Sequence, residues 1–283
     1  MRILFLGDVV GKPGVTFLRR ALPVLIAREK MDLVVANAEN AADGSGLMPK
    51  DYRKLREAGV DLVTLGDHVY KKKDIIPTLE EEEQICRPAN LPPGAPGREF
   101  AVATARDGNS VAVCCLLGRT YMRPADCPYR AADRVLQALT GKTRVVIVDM
   151  HAEATADKYL MGHYLKGRVS AVLGTHTHVP TADEQILPGG TAFISDVGMT
   201  GPYDSILGRR IDRVLSTAVS FVPAAFDVAT GDPRLAGAVV EVDAATGQAT
   251  SIRRLMLDEN GLAALAGEMG VSDTVPGESG RTD

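Results

Sequence analysis

Three short apolar runs near the N-terminus constrain the architecture most. Met1 to Leu6 (MRILFL), Asp32 to Ala38 and Asp61 to Leu65 (DLVTL) read as strands covered on both faces. Between them, Val15 to Glu29 carries Phe17, Leu18, Leu22, Leu25 and Ile26 at helical spacing, and Pro49 suits the first turn of a helix reaching about Ala58. Strand, helix, strand, helix, strand implies parallel strands joined by crossover helices. Each run ends in polar residues: Gly7-Asp8, Glu39-Asn40 and Gly66-Asp67-His68. In open α/β sheets that carboxyl edge is where ligands bind.

Further along, Phe100 to Thr104 and Ser110 to Leu117 form a hairpin pattern around Asp107-Gly108. Tyr129 to Leu139 and Ala154 to Leu165 have helical composition, as does Arg209 to Val219. Arg144 to Met150 is a buried strand ending in His151, and Val169 to Gly174 leads into Gly174-Thr175-His176-Thr177-His178. In an extended chain the two imidazoles of that pair share a face and can reach one point. Thr191 to Asp196 is strand-like, and Ala236 to Asp243 with Gln248 to Leu257 is a hairpin turning at Thr246-Gly247. The late hairpins suggest a second sheet beside the first. With no repeat and no linker, one domain over 1–269 is expected, followed by a fraying polar tail from 270 to 283.

Several features read as structural. Lys71 to Lys73 and Glu80 to Glu83 suit a solvated helix surface, Pro88 to Pro96 a loop, and Gly11-Lys12-Pro13-Gly14 a tight turn at a pocket rim. His163, mid-helix with no neighbouring ligand type, suits a partly buried structural role. The four cysteines have no metal or redox spacing, which favours reduced, buried thiols. A net charge of −4 argues against bulk duplex nucleic acid as partner. No apolar run spans a membrane and no signal peptide precedes the first strand, so a cytoplasmic location is expected.

The strand ends together supply Asp8, Glu39, Asn40, Asp67, His68, His151, His176 and His178. Oxygen and imidazole donors without thiolate suit iron or manganese, with zinc as a further candidate, and are too nitrogen-rich for calcium. So many carboxylates on one edge would repel without cations between them, and the donors exceed what one ion can use.

The sequence resembles the calcineurin-like metallophosphoesterases, and within them the YmdB-like 2′,3′-cyclic nucleotide phosphodiesterases. The likeness lies in Gly7-Asp8-Val9-Val10-Gly11-Lys12-Pro13-Gly14, Asn37-Ala38-Glu39-Asn40, Thr64-Leu65-Gly66-Asp67-His68, Arg87-Pro88-Ala89-Asn90, His151-Ala152-Glu153-Ala154-Thr155, the His-x-His segment and Asp196-Val197-Gly198-Met199-Thr200-Gly201. It implies a layered α/β/β/α sandwich of mixed sheets. It also implies two transition-metal ions, one held by Asp8, Glu39, Asn40 and His178, the other by Glu39, Asp67, His151 and His176, with Glu39 shared. Val10 stands where the wider superfamily has a histidine, and Asn40 fills that gap by the same resemblance. Asp67 stands where the family usually has Asn.

The implied reaction is hydrolysis of a small phosphate ester, such as a cyclic nucleotide, by metal-activated water. His68 is then well placed to protonate the leaving alkoxide; orienting Asp67 is the other role open to it. Glu153 suits either an orienting partner of His151 or an exposed acid at a helix start. A phosphomonoesterase or phosphoprotein phosphatase would use the same ligands, and a non-catalytic regulator could keep them to hold a nucleotide or RNA end. The residues leave the oligomeric state, homo-oligomer included, open.

Overall fold

The computed structural model describes residues 1–267; the tail expected from 270 lies outside them. In chain order the strands are β1 (Arg2–Leu6), β2 (Asp8–Val9), β3 (Leu33–Asn37), β4 (Leu62–Thr64), β5 (Ile85–Cys86), β6 (Ala101–Thr104), β7 (Ser110–Leu117), β8 (Val145–His151), β9 (Ala171–Thr175), β10 (Gln185–Leu187), β11 (Thr191–Ile194), β12 (Met199–Asp204), β13 (Gly231–Asp243) and β14 (Gln248–Leu257). The helices are α1 (Gly11–Glu29), α2 (Pro49–Glu57), α3 (Ile76–Glu81), α4 (Pro128–Leu139), α5 (Thr155–Leu165), α6 (Ile211–Ser220) and α7 (Glu259–Gly267).

The strands form two mixed sheets. One runs β2-β12-β13-β1-β3-β4-β5, with β14 paired to β13; the other runs β10-β11-β9-β8-β7-β6. Strand period sorts the side chains into layers. In β1, Ile3 and Phe5 join the core between the sheets, while Leu4 and Leu6 face α1 and α2; in β3, Leu33 and Val35 point inward and Val34 and Ala36 outward. The second sheet repeats this: Val145 and Ile147 of β8 enter the shared core, and Val146, Val148 and Met150 meet the layer holding α4 and α5. Runs buried on both faces thus give an α/β/β/α sandwich. Phe5, fully buried at its centre, anchors the shared core; its truncation to Ala costs about 3–5 kcal/mol.

β1, β3, β4 and β5 are mutually parallel, as are β7, β8, β9 and β11, so the carboxyl ends of each set share an edge. The late hairpin departs from expectation. β13 pairs antiparallel with β1 and belongs to the first sheet, because its alternate residues Ala238 and Val240 fill the inter-sheet core. β12 lies between β13 and β2. The expected turn at Gly11 to Gly14 is the first turn of α1, where proline is tolerated, and the Gly11 amide donates to the Asn40 carbonyl at 2.9 Å. His163 is exposed rather than partly buried. Of the cysteines, Cys86, Cys114 and Cys115 are buried, but Cys127 is partly exposed. The Lys and Glu runs are largely exposed around a short 3-10 turn and α3. Among the described residues no helix is long and apolar enough to cross a membrane.

Candidate metal centre

At the carboxyl edge the inward strand positions turn from apolar to polar. After Leu33 and Val35 comes Asn37; after Leu62, Thr64; after Val145 and Ile147, Asp149 and His151; after Ala171 and Leu173, Thr175. The Asp149 carboxylate, fully buried, accepts hydrogen bonds from Thr64 Oγ1 (2.6 Å), Asn37 Nδ2 (2.9 Å) and Thr175 Oγ1 (2.6 Å). Asn37 and Thr64 belong to the first sheet and Asp149 and Thr175 to the second, so this plug ties the sheets together. Burial holds the Asp149 carboxyl above its ordinary range despite these donors and His151 nearby. Thr175 Oγ1 also lies 2.8 Å from His151 Nδ1, which makes that nitrogen the donor and turns Nε2 outward.

Above the plug, Glu39, Asp67, His151 and His176 each offer a donor atom, and these atoms all lie within 4.8 Å of one another. His151 Nε2 is 3.1 Å from Glu39 Oε1, 3.2 Å from Asp67 Oδ1 and 3.1 Å from His176 Nδ1. Burial opposes charge on His151 and Glu39, yet their attraction prevails: the imidazole is held well above its usual range and the Glu39 carboxyl below its own. Burial likewise opposes Asp67, and its hydrogen bond to His151 overrides that to depress it. A proton on His151 therefore supplies the positive charge that buried carboxylates require. His176 is pushed down by burial and then by the His151 charge. Gly66 leaves room for this packing, since a Cβ there would collide with the His151 ring.

Beside this tetrad sit Asp8, Asn40 and His178. Asn40 Nδ2 is 3.5 Å from Asp8 Oδ1 and 3.2 Å from His178 Nε2, and His178 Nε2 is 3.8 Å from Asp8 Oδ1. Burial raises the Asp8 carboxyl to about 6, His178 and His151 pulling against it. Both histidines of the pair have positive φ, 91° at His176 and 64° at His178, each a strain of about 1–3 kcal/mol. The segment is therefore not extended, and the imidazoles do not meet at one point. His176 goes to the tetrad and His178 to Asp8 and Asn40.

His68 stands at the rim, its side chain 29% exposed. Its backbone N–H donates to Glu39 Oε2 at 2.7 Å, and its Nδ1 lies 2.9 Å from Asn40 Oδ1. Glu153 is the exposed acid just before α5, one of the two readings expected of it, and its Oε2 lies 3.3 Å from His176 Nε2, whereas His151 is served by Thr175. Sequence reading missed Asp149 because its carboxylate sits in the middle of an apolar run. The signal lay in parity: it shares the inward face with His151.

The donor chemistry fits cations. Three carboxylates and three imidazoles, with no thiolate among them, crowd one buried edge, and Glu39, Asp67, His151 and His176 form a group that could hold a metal ion. The site and the two facing sheets define a metallophosphoesterase-type hydrolase. A phosphatase from Mycoplasma pneumoniae of known crystal structure has this fold, at a TM-score of 0.84 and 32% identity over 91% of this chain and 93% of that one. The chain belongs to the YmdB-like protein family, whose model matches residues 4–255. It is 43% identical over 260 residues to the 2′,3′-cyclic-nucleotide 2′-phosphodiesterase of Bacillus subtilis, covering 92% of this chain and 98% of that protein. A hypothetical protein from Thermus thermophilus matches with a TM-score of 0.85 at 44% identity, over 92% of this chain and all of the other.

Proposed function

We propose that this chain, acting as one domain over 1–269, is a dinuclear-metal phosphodiesterase that hydrolyses 2′,3′-cyclic nucleotides. The observation that carries the reading is the convergence of Glu39, Asp67, His151 and His176 donor atoms within 4.8 Å. The similarity to the Bacillus subtilis phosphodiesterase supports the substrate class. Glu39, Asp67, His151 and His176 would hold one cation, and Asp8, Asn40 and His178, with Glu39 available to both, would hold the other. Iron or manganese suits this donor set ahead of zinc. Bound there, the cations supply Lewis acidity toward a phosphate ester and an activated water at neutral pH.

The remaining work falls to the chain. Asn40 faces Asp8 and His178 with one end of its amide and His68 Nδ1 with the other. Asn40 Oδ1 accepts from His68 Nδ1–H, which leaves the Nε2–H of the imidazolium to pass to the leaving ribose oxygen, the ring returning to neutral imidazole. Thr175 and Asp149 hold His151 with Nε2 toward the carboxylates.

The deciding experiment is product release from a panel of 2′,3′-cyclic nucleotides and a phosphomonoester, with Mn²⁺ added and with a chelator. Turnover of the cyclic substrates that the chelator abolishes is expected. Turnover of the monoester alone would replace the substrate assignment, and binding without turnover would make the chain a regulator.

A further inference from the structure

We propose that Thr177, Asp196 and Lys158 form a clamp that positions His176 and His178 for two different cations; the inference rests on the dinuclear reading above. The two histidines need a backbone that L residues rarely adopt, φ 91° and 64°, on either side of Thr177. Such a conformation persists only where surrounding bonds over-determine it; the His176 N–H donates to Asp8 Oδ2 at 3.0 Å and His178 Nδ1 lies 3.1 Å from the Leu207 carbonyl, and the densest set of bonds falls on Thr177 between them. Its N–H donates to Asp196 Oδ2 at 3.2 Å and its Oγ1–H to the same oxygen at 2.6 Å. That oxygen also accepts from Lys158 Nζ at 2.7 Å, and Lys158 Nζ lies 3.3 Å from Thr177 Oγ1. The other Asp196 oxygen takes the Gly198 N–H at 2.8 Å.

Lys158 and Asp196 are 2% and 1% exposed, yet neither side chain reaches a donor atom of the tetrad. Lys158 comes from α5 and Asp196 from the turn after β11, so two separate elements grip the one residue between the histidines. The approach is close: a Cβ on Gly174 would collide with the Ser195 carbonyl oxygen, beside Asp196. A buried ion pair is weak evidence for stability but well suited to fixing one geometry. With the clamp released, the segment can relax toward ordinary extended backbone. Alternation then sends both imidazoles to one side, and one of the two cation sets loses its histidine.

The test uses the full chain stripped of metal, titrated with Mn²⁺ by calorimetry and followed by electron paramagnetic resonance, with melting of each apoprotein recorded in chelator. Wild type is expected to take up two Mn²⁺ with a coupled spectrum. Thr177→Val keeps the branched shape and loses the hydroxyl; it should weaken Mn²⁺ binding about 10–100-fold and lose the coupled spectrum while its apoprotein melts near wild type. Thr177→Ser should restore both. If the valine apoprotein does not fold, Thr177→Ala, which places no methyl group against the carboxylate, should show the same weakening. Valine or alanine variants that bind like wild type overturn the clamp, as does a serine variant as weak as valine. A wild-type chain that binds a single Mn²⁺, or none, instead overturns the dinuclear reading and the clamp with it.

Discussion

The two halves of the site are built differently. The His151 half stands on strand ends: His151 closes β8, Glu39 follows β3 closely, and Thr175 and Asp149 brace the imidazole from below. In the other half Asp8 lies on the short strand β2 and Asn40 is buried beside it, but His178 hangs on a loop. His178 Nδ1 is fixed by the Leu207 carbonyl at 3.1 Å, and Leu207 precedes α6, a helix with no buried residue. One half is preorganised by two sheets; the other depends for its histidine on a segment that opens at lower cost. The dinuclear reading then predicts tighter cation binding at the first half than at the second.

The largest expected effect tests the braced half. His151→Ala should lower turnover by at least about 10³-fold, several kcal/mol of transition-state stabilisation, and elemental analysis should find the tetrad cation gone. Retention of a full metal complement would erase the contrast. His68→Ala comes next, because His68 leans on Asn40 and Glu39 without being a member of either half's ligand set. A loss of about 10²–10⁴-fold is expected on cyclic nucleotides, with metals kept, and a much smaller loss on a nitrophenyl ester, whose leaving group needs no proton. Equal losses on both substrates would remove the proton-donor role.

His178→Ala sharpens the comparison: metal content should fall from two ions to one, with the tetrad ion retained. Loss of both ions would show the halves to be interdependent.

Acidity offers a smaller and independent test. Asp8, raised to about 6 against an ordinary 3.8, and His151, held well above its usual range, both bind protons more tightly in the fold than in the unfolded chain. The stability this contributes is present at low pH and is lost as pH rises through the folded values. The depressed Glu39 and Asp67 act in the opposite sense only below the ordinary carboxylate range, and the depressed His176 offsets part of the trend up to its ordinary value. The chelated protein should therefore melt several degrees lower at pH 8 than at pH 5, by scanning calorimetry, and Mn²⁺ should abolish that trend. A flat profile without metal would mean that His151 carries no proton there.

Asp67→Asn should have the smallest effect. Removing one of three carboxylates is expected to loosen the metal modestly and favour an anionic substrate, read as a weaker Mn²⁺ affinity and a lower KM. No change in either would leave the Asp without consequence.

Much of this was legible in the residues. Apolar runs ending in Asp8, Glu39, Asp67 and His151 pointed to the shared polar edge, because parallel strands with buried faces carry most of their polar residues at their ends. The late hairpin was misplaced because Ala236 to Leu257 alternates identically whichever sheet it joins; only pairing with β1 decides. β2, β5 and β10, two or three residues each, are too short for a period to register. The divergence of His176 and His178 was implied by the resemblance, but its cause was hidden. It depends on positive φ, which histidine adopts only where neighbours hold it, and the neighbour here is Asp196, eighteen residues past His178 in the chain.

The Asp149 plug carries a consequence for motion. Donors from one sheet and one acceptor from the other leave the two layers no freedom to slide past each other at that end. Heat or denaturant should prise the sandwich apart from its far end first, so catalytic competence would outlast the integrity of the opposite rim.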